Sequence, residues 1–262
     1  MPTVTSKDGT AIAFEQSGEG TPLILVDGAL CHRAFGPLRP LSALLSPHFT
    51  VFIYDRRGRG ESGDTLPYAV EREVEDIEAL INEAGGSAFL YGTSSGGALA
   101  LETAIRLGSK IKKLAEFEAP YNDDPNVQPA YKQYTKQLNE ALAANNRGDA
   151  AAAFMKYVGT PAEQIEGMRH APVWSMFEAV APTLAYDAAV LGEGAAVPTQ
   201  GAASIGMPAL VMNGGAGFPF MRATAESLAS AIPGAKHHVV EGQGHDAAAE
   251  AIAPVLIEFF SA

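Results

Sequence analysis

The sequence predicts an α/β fold, with a mostly parallel central sheet that carries helices on both faces. Short apolar runs bounded by glycine, proline or aspartate alternate with segments of helical periodicity, as in sheets buried on both sides. This alternation fills residues 1–120 and returns over residues 207–262. The stretch between them is rich in alanine and contains no apolar strand run. We therefore expect a two-segment core, 1–124 and 205–262, with a helical cap or lid inserted over 125–204.

The individual elements follow from the period of the apolar residues. In the clearest helix, residues 70–83, Val70, Val74, Ile77 and Leu80 recur at spacings of three and four and form one apolar face. Strands are predicted over 11–16, 23–26, 51–54, 88–91, 209–212 and 237–240, and a further strand ends within 114–120. Core helices are predicted over 38–45, 70–83, 97–107, 221–231 and 247–260, and cap helices over 133–147, 149–157, 161–169 and 173–181.

The composition argues against several classes of protein. The 262 residues carry a net charge of −12 and no run of lysine and arginine, which speaks against a nucleic-acid or anionic-membrane partner. Apolar runs are too short to span a membrane, and the N-terminus lacks the apolar segment of a signal peptide. The single cysteine, Cys31, excludes an internal disulfide and a multi-cysteine zinc site. We expect an acidic cytoplasmic protein that acts on a small molecule. Whether it forms a homodimer is left open by the sequence.

One turn has the pattern of a reactive serine. Gly-Thr-Ser-Ser-Gly at 92–96 directly follows the apolar run 88–91 and directly precedes the helical segment 98–107. A strand, a sharp turn and a helix are the setting in which a Gly-x-Ser-x-Gly sequence exposes its serine hydroxyl above the strand ends. The backbone N–H of Ser95 then lies at a helix start, where it can donate to an oxyanion. The pattern therefore indicates Ser94 as a nucleophile.

Three further motifs accompany this turn. Val-Asp-Gly-Ala at 26–29 follows a predicted strand, Asp-Arg-Arg-Gly-Arg-Gly-Glu-Ser at 55–62 has the pattern D-x-R-G-x-G-x-S, and Gly-Gln-Gly-His at 242–245 follows the last predicted strand. With these four motifs in order, the chain resembles the α/β-hydrolase superfamily over residues 10–120 and 207–262. The resemblance implies an α/β-hydrolase fold with a helical cap.

The resemblance also implies roles for particular residues. Ser94 takes the place of the nucleophile and His245, on a glycine-rich loop, that of the general base. The backbone N–H groups of Ala29 and Ser95 correspond to the oxyanion hole. Asp27 stands where the family usually has histidine, but the donor is the backbone of Ala29, so this change need not remove it. The Asp27 carboxylate would either bond the backbone of its own loop or place negative charge near the site, which would disfavour anionic substrates.

The third member of a catalytic triad departs from the family pattern. The usual acid follows the strand at 209–212, where this chain has Gly-Gly-Ala-Gly at 214–217. Some members, haloalkane dehalogenases among them, carry the acid at the end of the preceding strand, and Glu118 matches that position. A carboxylate at the end of a buried strand needs a partner, and His245 is available. We predict Glu118 as the acid, with Glu116, Asp123 and Asp124 as alternatives.

These residues predict a serine hydrolase. Ser94 would form an acyl-enzyme from an ester-like or other carbonyl-activated bond, without a metal or organic cofactor. A serine argues against dehalogenase or epoxide hydrolase chemistry, because the resulting ether could not be hydrolysed. Asp27 disfavours anionic substrates, so we expect a small, uncharged, apolar one. Two alternatives stay open: a non-hydrolytic small-ligand binding protein, and a cofactor-free lyase or oxygenase that uses His245 as a base.

The apolar side chains of the cap have two interpretations. Met168, Trp174, Met176 and Phe177 either line an apolar substrate pocket or join the cap helices to one another. The sequence leaves both open.

Overall fold

A computed structural model describes residues 2–262 of the chain. Within this range one sheet of eight strands runs through the molecule. The strands are β1 (Thr3–Thr5), β2 (Ala11–Ser17), β3 (Pro22–Val26), β4 (Thr50–Tyr54), β5 (Ala88–Thr93), β6 (Ile111–Phe117), β7 (Ala209–Gly214) and β8 (Lys236–Val240). Their spatial order is β1-β2-β4-β3-β5-β6-β7-β8, and only the pairs β1–β2 and β2–β4 in this sheet are antiparallel.

Helices connect the parallel strands. The helices of the core are α1 (Leu38–Leu45), α2 (Val70–Glu83), α3 (Ser95–Leu107), α10 (Pro219–Ala231) and α11 (Ala249–Ser261). The helices between β6 and β7 are α4 (Gln128–Ala143), α5 (Arg147–Tyr157), α6 (Ala162–Arg169), α7 (Trp174–Val180), α8 (Leu184–Leu191) and α9 (Thr199–Ala202). Among residues 2–262, no helix is both long and apolar enough to cross a lipid bilayer.

The hydrophobic core lies on both faces of the sheet, because successive side chains of a strand point to opposite sides. In β3, Ile24 and Val26 belong to the apolar cluster that includes residues of α2, α3 and α10, whereas Leu23 and Leu25 belong to the cluster that includes residues of α1 and α11. All four side chains are fully buried. Burying a side chain of this size contributes about 1.5–3 kcal/mol each. The α/β class predicted from the alternating pattern, a mostly parallel sheet with helices on both faces, is confirmed.

The strand order creates a cleft at the carboxyl ends of the central strands. From β3 the chain crosses to β4 on one side and then returns to β5 on the other side of β3. In open α/β sheets, ligands bind where the strand order reverses, beyond the carboxyl ends of the strands. The ends of β3 and β5, which carry Asp27 and Ser94, lie at this position.

The helices between β6 and β7 share an apolar cluster of their own, which includes Tyr131, Leu138, Trp174 and Leu184. The expected helices are present, but α4 begins five residues earlier than predicted, at Gln128, and α8 and α9 were not predicted. Strand β1 was also not predicted. The division into a core of 1–124 and 205–262 and a cap of 125–204 stays a prediction.

Candidate active site

The turn between β5 and α3 holds Ser94 in an unusual backbone conformation. Its φ of 55° and ψ of −131° lie in a region that residues with a side chain rarely occupy, at a cost of about 1–3 kcal/mol. The Ser94 N–H donates to the carbonyl of Phe117, 2.9 Å away on β6, which fixes the turn to the sheet. A Cβ on Gly96 would stand 2.3 Å from the Val26 carbonyl oxygen, so the close approach of helix and sheet requires glycine there.

Three side chains form a hydrogen-bonded chain at this turn. The Ser94 Oγ lies 3.2 Å from Nε2 of His245, and Nδ1 of His245 lies 2.7 Å from Oε2 of Glu118. An ionised carboxylate only accepts, so Nδ1 carries the hydrogen and Nε2 is left to accept the serine proton. The Glu118 side chain is fully buried, whereas about a third of the His245 side chain is exposed. This arrangement matches the geometry of a nucleophile, a base and an orienting acid.

Glu118 directly follows β6, with a φ of 52°. Its N–H donates to the carbonyl of Met212 on β7, and its Oε1 accepts a hydrogen bond of 2.9 Å from the Gly214 N–H. A Cβ on Gly217 would stand 2.9 Å from the same Oε1. The Glu118 carboxylate therefore lies against the loop in which the family pattern places its acid.

The other candidate acids have different partners. Glu116 is buried on β6, its Oε2 accepts from the Ala119 N–H at 2.9 Å, and burial raises its pKa to about 8. Asp123 accepts from the backbone of Val197, and Asp124 accepts from Asn126. Of the four acids, Glu118 is the one that forms a hydrogen bond with His245.

Ala29 and Ser95 line the same cavity as Ser94 and His245. The loop that carries Ala29 lies against the serine, because a Cβ on Gly28 would stand 3.1 Å from the Ser94 Cβ. The side chain of Asp27 bonds within this loop, where its Oδ1 accepts from the Gly28 N–H at 3.0 Å. Burial raises the pKa of Asp27 to about 7, so this carboxyl titrates near neutral pH.

Asp187, on α8, was not predicted as a site residue from the sequence. Its carboxylate lines the cavity and accepts a hydrogen bond of 2.8 Å from the Ser95 hydroxyl. The same carboxylate binds Arg56 and Arg59, which are buried. The only signal in the sequence is indirect: arginines in a turn next to the site require carboxylates if that turn is buried.

A cavity of about 1120 Å³ opens above Ser94. Aromatic side chains of α4 and α5 line it, namely Tyr131, Tyr134, Phe154 and Tyr157. The four cap residues considered from the sequence do not line this cavity. Trp174 and Phe177 pack on each other, Met168 packs in the same cap cluster, and Met176 is exposed. Across residues 2–262, no group of three or more His, Cys, Asp or Glu side chains is placed to hold a metal ion.

Comparison with solved structures gives matches over nearly the whole chain. An alpha/beta hydrolase from Sphaerobacter thermophilus DSM 20745 is 51% identical, with a TM-score of 0.88, over 99% of this chain and 100% of that one. The enol-lactonase from Burkholderia xenovorans LB400 is 23% identical over 100% of both chains, with a TM-score of 0.72, a likeness of fold.

Matches to curated proteins are partial. A pimeloyl-[acyl-carrier protein] methyl ester esterase from Nitrosospira multiformis is 30% identical over 109 residues, 40% of each protein. The chain aligns with only 28 to 40% of the length of the curated relatives it matches. The model of the Alpha/beta hydrolase family, in contrast, matches residues 23–255, and the resemblance inferred from four short motifs is thereby confirmed. The chain belongs to the alpha/beta hydrolase family.

Proposed function

We propose that this protein is a serine hydrolase that cleaves an ester-like or other carbonyl-activated bond through an acyl-enzyme. The observation that carries the proposal is the hydrogen-bonded chain from Ser94 through His245 to Glu118 at the floor of the cavity. This is the arrangement by which a hydroxyl is activated: a buried carboxylate orients an imidazole, and the imidazole takes the proton of the serine.

The reaction begins when Ser94 Oγ attacks the substrate carbonyl carbon and His245 Nε2 takes the serine proton. Glu118 keeps the imidazole in the required tautomer and stabilises the imidazolium that forms. The backbone N–H groups of Ala29 and Ser95 bind the oxyanion of the tetrahedral intermediate. His245 then gives its proton to the leaving group, and water, activated by the same imidazole, hydrolyses the acyl-Ser94 ester.

The lining of the cavity supports an uncharged, apolar molecule as the substrate. The helices between β6 and β7 would cover it. The walls of the cavity include the aromatic rings of Tyr131, Tyr134 and Phe154, which offer apolar contact area to an acyl or alcohol group. Asp27 adds a carboxyl to the same wall next to the proposed oxyanion hole. Above pH 7, where this carboxyl is ionised, it repels a substrate that carries its own negative charge.

A fluorophosphonate probe tests the nucleophile, because it is attacked by activated serines and remains on the oxygen after fluoride leaves. We expect covalent labelling of the wild type, none of Ser94→Ala, and unchanged labelling of the control Ser175→Ala, an exposed serine on α7. Hydrolysis of p-nitrophenyl acetate should follow the same pattern. If folded wild-type protein is neither labelled nor active on esters, a ligand-binding role replaces the proposal. Normal turnover by Ser94→Ala would indicate a route in which His245 acts as a base without acylation.

A pair of esters tests the substrate class. At pH 8, we expect kcat/KM for neutral p-nitrophenyl butyrate to exceed that for the anionic mono-p-nitrophenyl succinate by about tenfold or more, a difference of about 1.4 kcal/mol. The variant Asp27→Asn should narrow the ratio, because it removes the charge. An unchanged ratio in the variant would assign the preference to another feature of the cavity.

A further inference from the structure

A buried ionic cluster joins the helices between β6 and β7 to the floor of the cavity. Arg56 and Arg59 follow β4, Asp187 lies on α8, and each is at most 3% exposed. Both oxygens of Asp187 accept from Nη2 of Arg59, at 2.9 and 2.8 Å, and Oδ1 also accepts from Nη1 of Arg56 at 2.7 Å. One carboxylate therefore holds two guanidinium groups.

Arg59 also binds the loop that carries the Ala29 N–H. Its Nη1 donates to the carbonyl oxygens of Gly28, at 2.5 Å, and Cys31, at 3.2 Å. The Gly28 carbonyl and the Ala29 N–H belong to one planar trans peptide, so they point in opposite directions. Arg59 thus helps to fix the direction in which the Ala29 N–H points, together with the Cys31 N–H, which donates to the same Gly28 oxygen at 3.4 Å. Its positive charge at the carbonyl oxygen also polarises the peptide and makes that N–H a stronger donor.

The same carboxylate holds the second donor of the proposed oxyanion hole. The hydroxyl of Ser95 donates to Oδ1 of Asp187 at 2.8 Å, so the side chain of the residue that supplies this N–H is anchored. Ser95 and Asp187 are 92 residues apart in sequence. Asp187 is therefore connected to both donors, to Ser95 directly and to Ala29 through Arg59.

The charges of the cluster balance only when Asp187 is present. Arg56 has a second carboxylate, Glu73, which it binds through two hydrogen bonds of 2.7 and 2.8 Å. The carboxylate that Arg59 binds, within the part of the chain that the structure describes, is that of Asp187. Burial alone would raise the pKa of Asp187, but the charges of Arg59 and Arg56 hold it below its ordinary value, so the carboxylate is ionised at neutral pH.

We propose that Asp187 and Arg59 are positioning residues for the oxyanion hole, an inference that rests on the proposed serine hydrolase function. Asp187 keeps Arg59 on the Gly28 carbonyl and keeps Ser95 in place, and both N–H donors stay directed at the reacting carbonyl oxygen. The helices between β6 and β7 then contribute to the chemistry as well as covering the cavity. Asp187 acts through its neighbours and does not itself need to touch the substrate.

The test compares Asp187→Asn with a matched control, Asp76→Asn. Asp76 is equally buried and binds Arg57 through two hydrogen bonds of 2.8 and 2.7 Å, but Arg57 does not hold the loop at Gly28. For each variant, complete fluorophosphonate labelling counts the folded sites, and kcat and KM for p-nitrophenyl butyrate are expressed per labelled site. The inhibition constant of phenylboronic acid, which forms a tetrahedral adduct with an activated serine, reports on the oxyanion hole.

We expect Asp187→Asn to lower kcat per site about 10- to 100-fold, to change KM less than about threefold, and to weaken phenylboronic acid in proportion to kcat. This loss is smaller than the roughly 10²–10³ of a deleted donor because both N–H groups are still present. Asp76→Asn should lower the midpoint of urea unfolding but leave kcat per site within about twofold. A merely structural role of Asp187 predicts the same result for both variants and would overturn the proposal.

Arg59→Lys repeats the test if Asp187→Asn does not fold. Lysine keeps a cation beside Asp187 but lacks the fork that holds the Gly28 carbonyl and the carboxylate together. We expect kcat and phenylboronic acid binding to fall together, and unchanged values for both would contradict the proposal. These outcomes differ from a failure of the proposed function, in which the wild type itself is neither labelled nor active.

Discussion

The neighbouring strands β6 and β7 pair in parallel and end side by side, but their loops differ in kind. The β6 end carries a fully buried carboxylate, Glu118, in hydrogen-bond contact with His245. The β7 end carries Gly-Gly-Ala-Gly at 214–217, which offers a backbone N–H and open space to that carboxylate. The β6 end therefore supplies the carboxylate, and the β7 end supplies the N–H and the space that hold it beside His245.

The two ends are also coupled energetically. Glu118 has a positive φ, which costs about 1–3 kcal/mol for a residue with a side chain. Its N–H donates to Met212 and its Oε1 accepts from Gly214, and each of these hydrogen bonds to β7 contributes about 0.5–1.5 kcal/mol, more for the ionised oxygen. The conformation at the end of β6 is therefore held by the end of β7.

The largest effect should come from Glu118→Gln, which tests whether the acid lies at the β6 end. The amide keeps the shape of the side chain but cannot stabilise the imidazolium, and it can stabilise the wrong tautomer of His245. We expect kcat for p-nitrophenyl butyrate to fall on the order of 10³–10⁴-fold. Near-wild-type kcat would remove Glu118 from the mechanism and reopen the assignment to Asp123 or Asp124. The far-ultraviolet circular dichroism spectrum should match that of the wild type.

A second variant pair tests whether the two strand ends are interchangeable. Glu118→Gly removes the carboxylate and relieves the positive φ, and Gly217→Asp adds an acid at the β7 end. Glu118→Gly alone should lose most activity, and the double variant should recover about 10- to 100-fold of kcat. Gly217→Asp alone brings a second carboxylate next to Glu118 and should lower both activity and stability. No recovery in a folded double variant would show that the β7 end cannot serve His245 in this chain.

A smaller change tests the contact between the two ends. Gly217→Ala adds a Cβ that would stand 2.9 Å from Glu118 Oε1, which is too close, so the carboxylate has to shift. We expect kcat to fall about tenfold, because an orienting group displaced by a fraction of an ångström holds its imidazole less well. Gly206→Ala is the matched control, since a Cβ there meets nothing within 4 Å. Equal rates for the two variants would mean that the Glu118 carboxylate tolerates the shift.

The sequence predicted the core because its strands are buried on both faces and therefore appear as continuous apolar runs. Strand β1 was missed because its Thr3–Thr5 segment is too short to show a period. Helix α4 begins at Gln128, before the predicted start. Pro129 does not prevent this, because it lies in the first turn of the helix, where proline is tolerated.

The site divides in the same way. Ser94, Glu118 and His245 could be singled out because each follows a strand at a position that the family resemblance marks, and parallel strands bring their ends together. Asp187 could not, because Leu184–Leu191 is apolar on most sides and shows no amphipathic period. Its partners also lie about 90 residues or more away in sequence, so only the packed structure reveals them.

The smallest effect on activity should come from Glu116→Gln. This variant allows Glu116 and Glu118, at the end of the same strand, to be compared directly. Glu116 and Glu118 lie two residues apart and are equally buried, but Glu116 binds the Ala119 N–H instead of His245. With a pKa of about 8, Glu116 is mostly protonated at pH 7, and an amide resembles that form closely. We expect kcat to change less than about threefold, against the large loss in Glu118→Gln.

The stability of Glu116→Gln should depend on pH in a defined direction. The folded pKa of Glu116 lies above the unfolded one, so between about 4.5 and 8 the folded state binds the proton more tightly. The stabilisation from this group is therefore complete below about pH 4.5 and is lost as the pH rises through 8. Glutamine does not titrate, so this loss occurs only in the wild type. In urea unfolding, the free energy of unfolding of the variant should therefore rise relative to that of the wild type between pH 5 and pH 8. The rise is on the order of 1.4 kcal/mol per pH unit and reaches a few kcal/mol in all. A constant difference between the two proteins over this range would mean that the pKa of Glu116 is not raised in the folded protein.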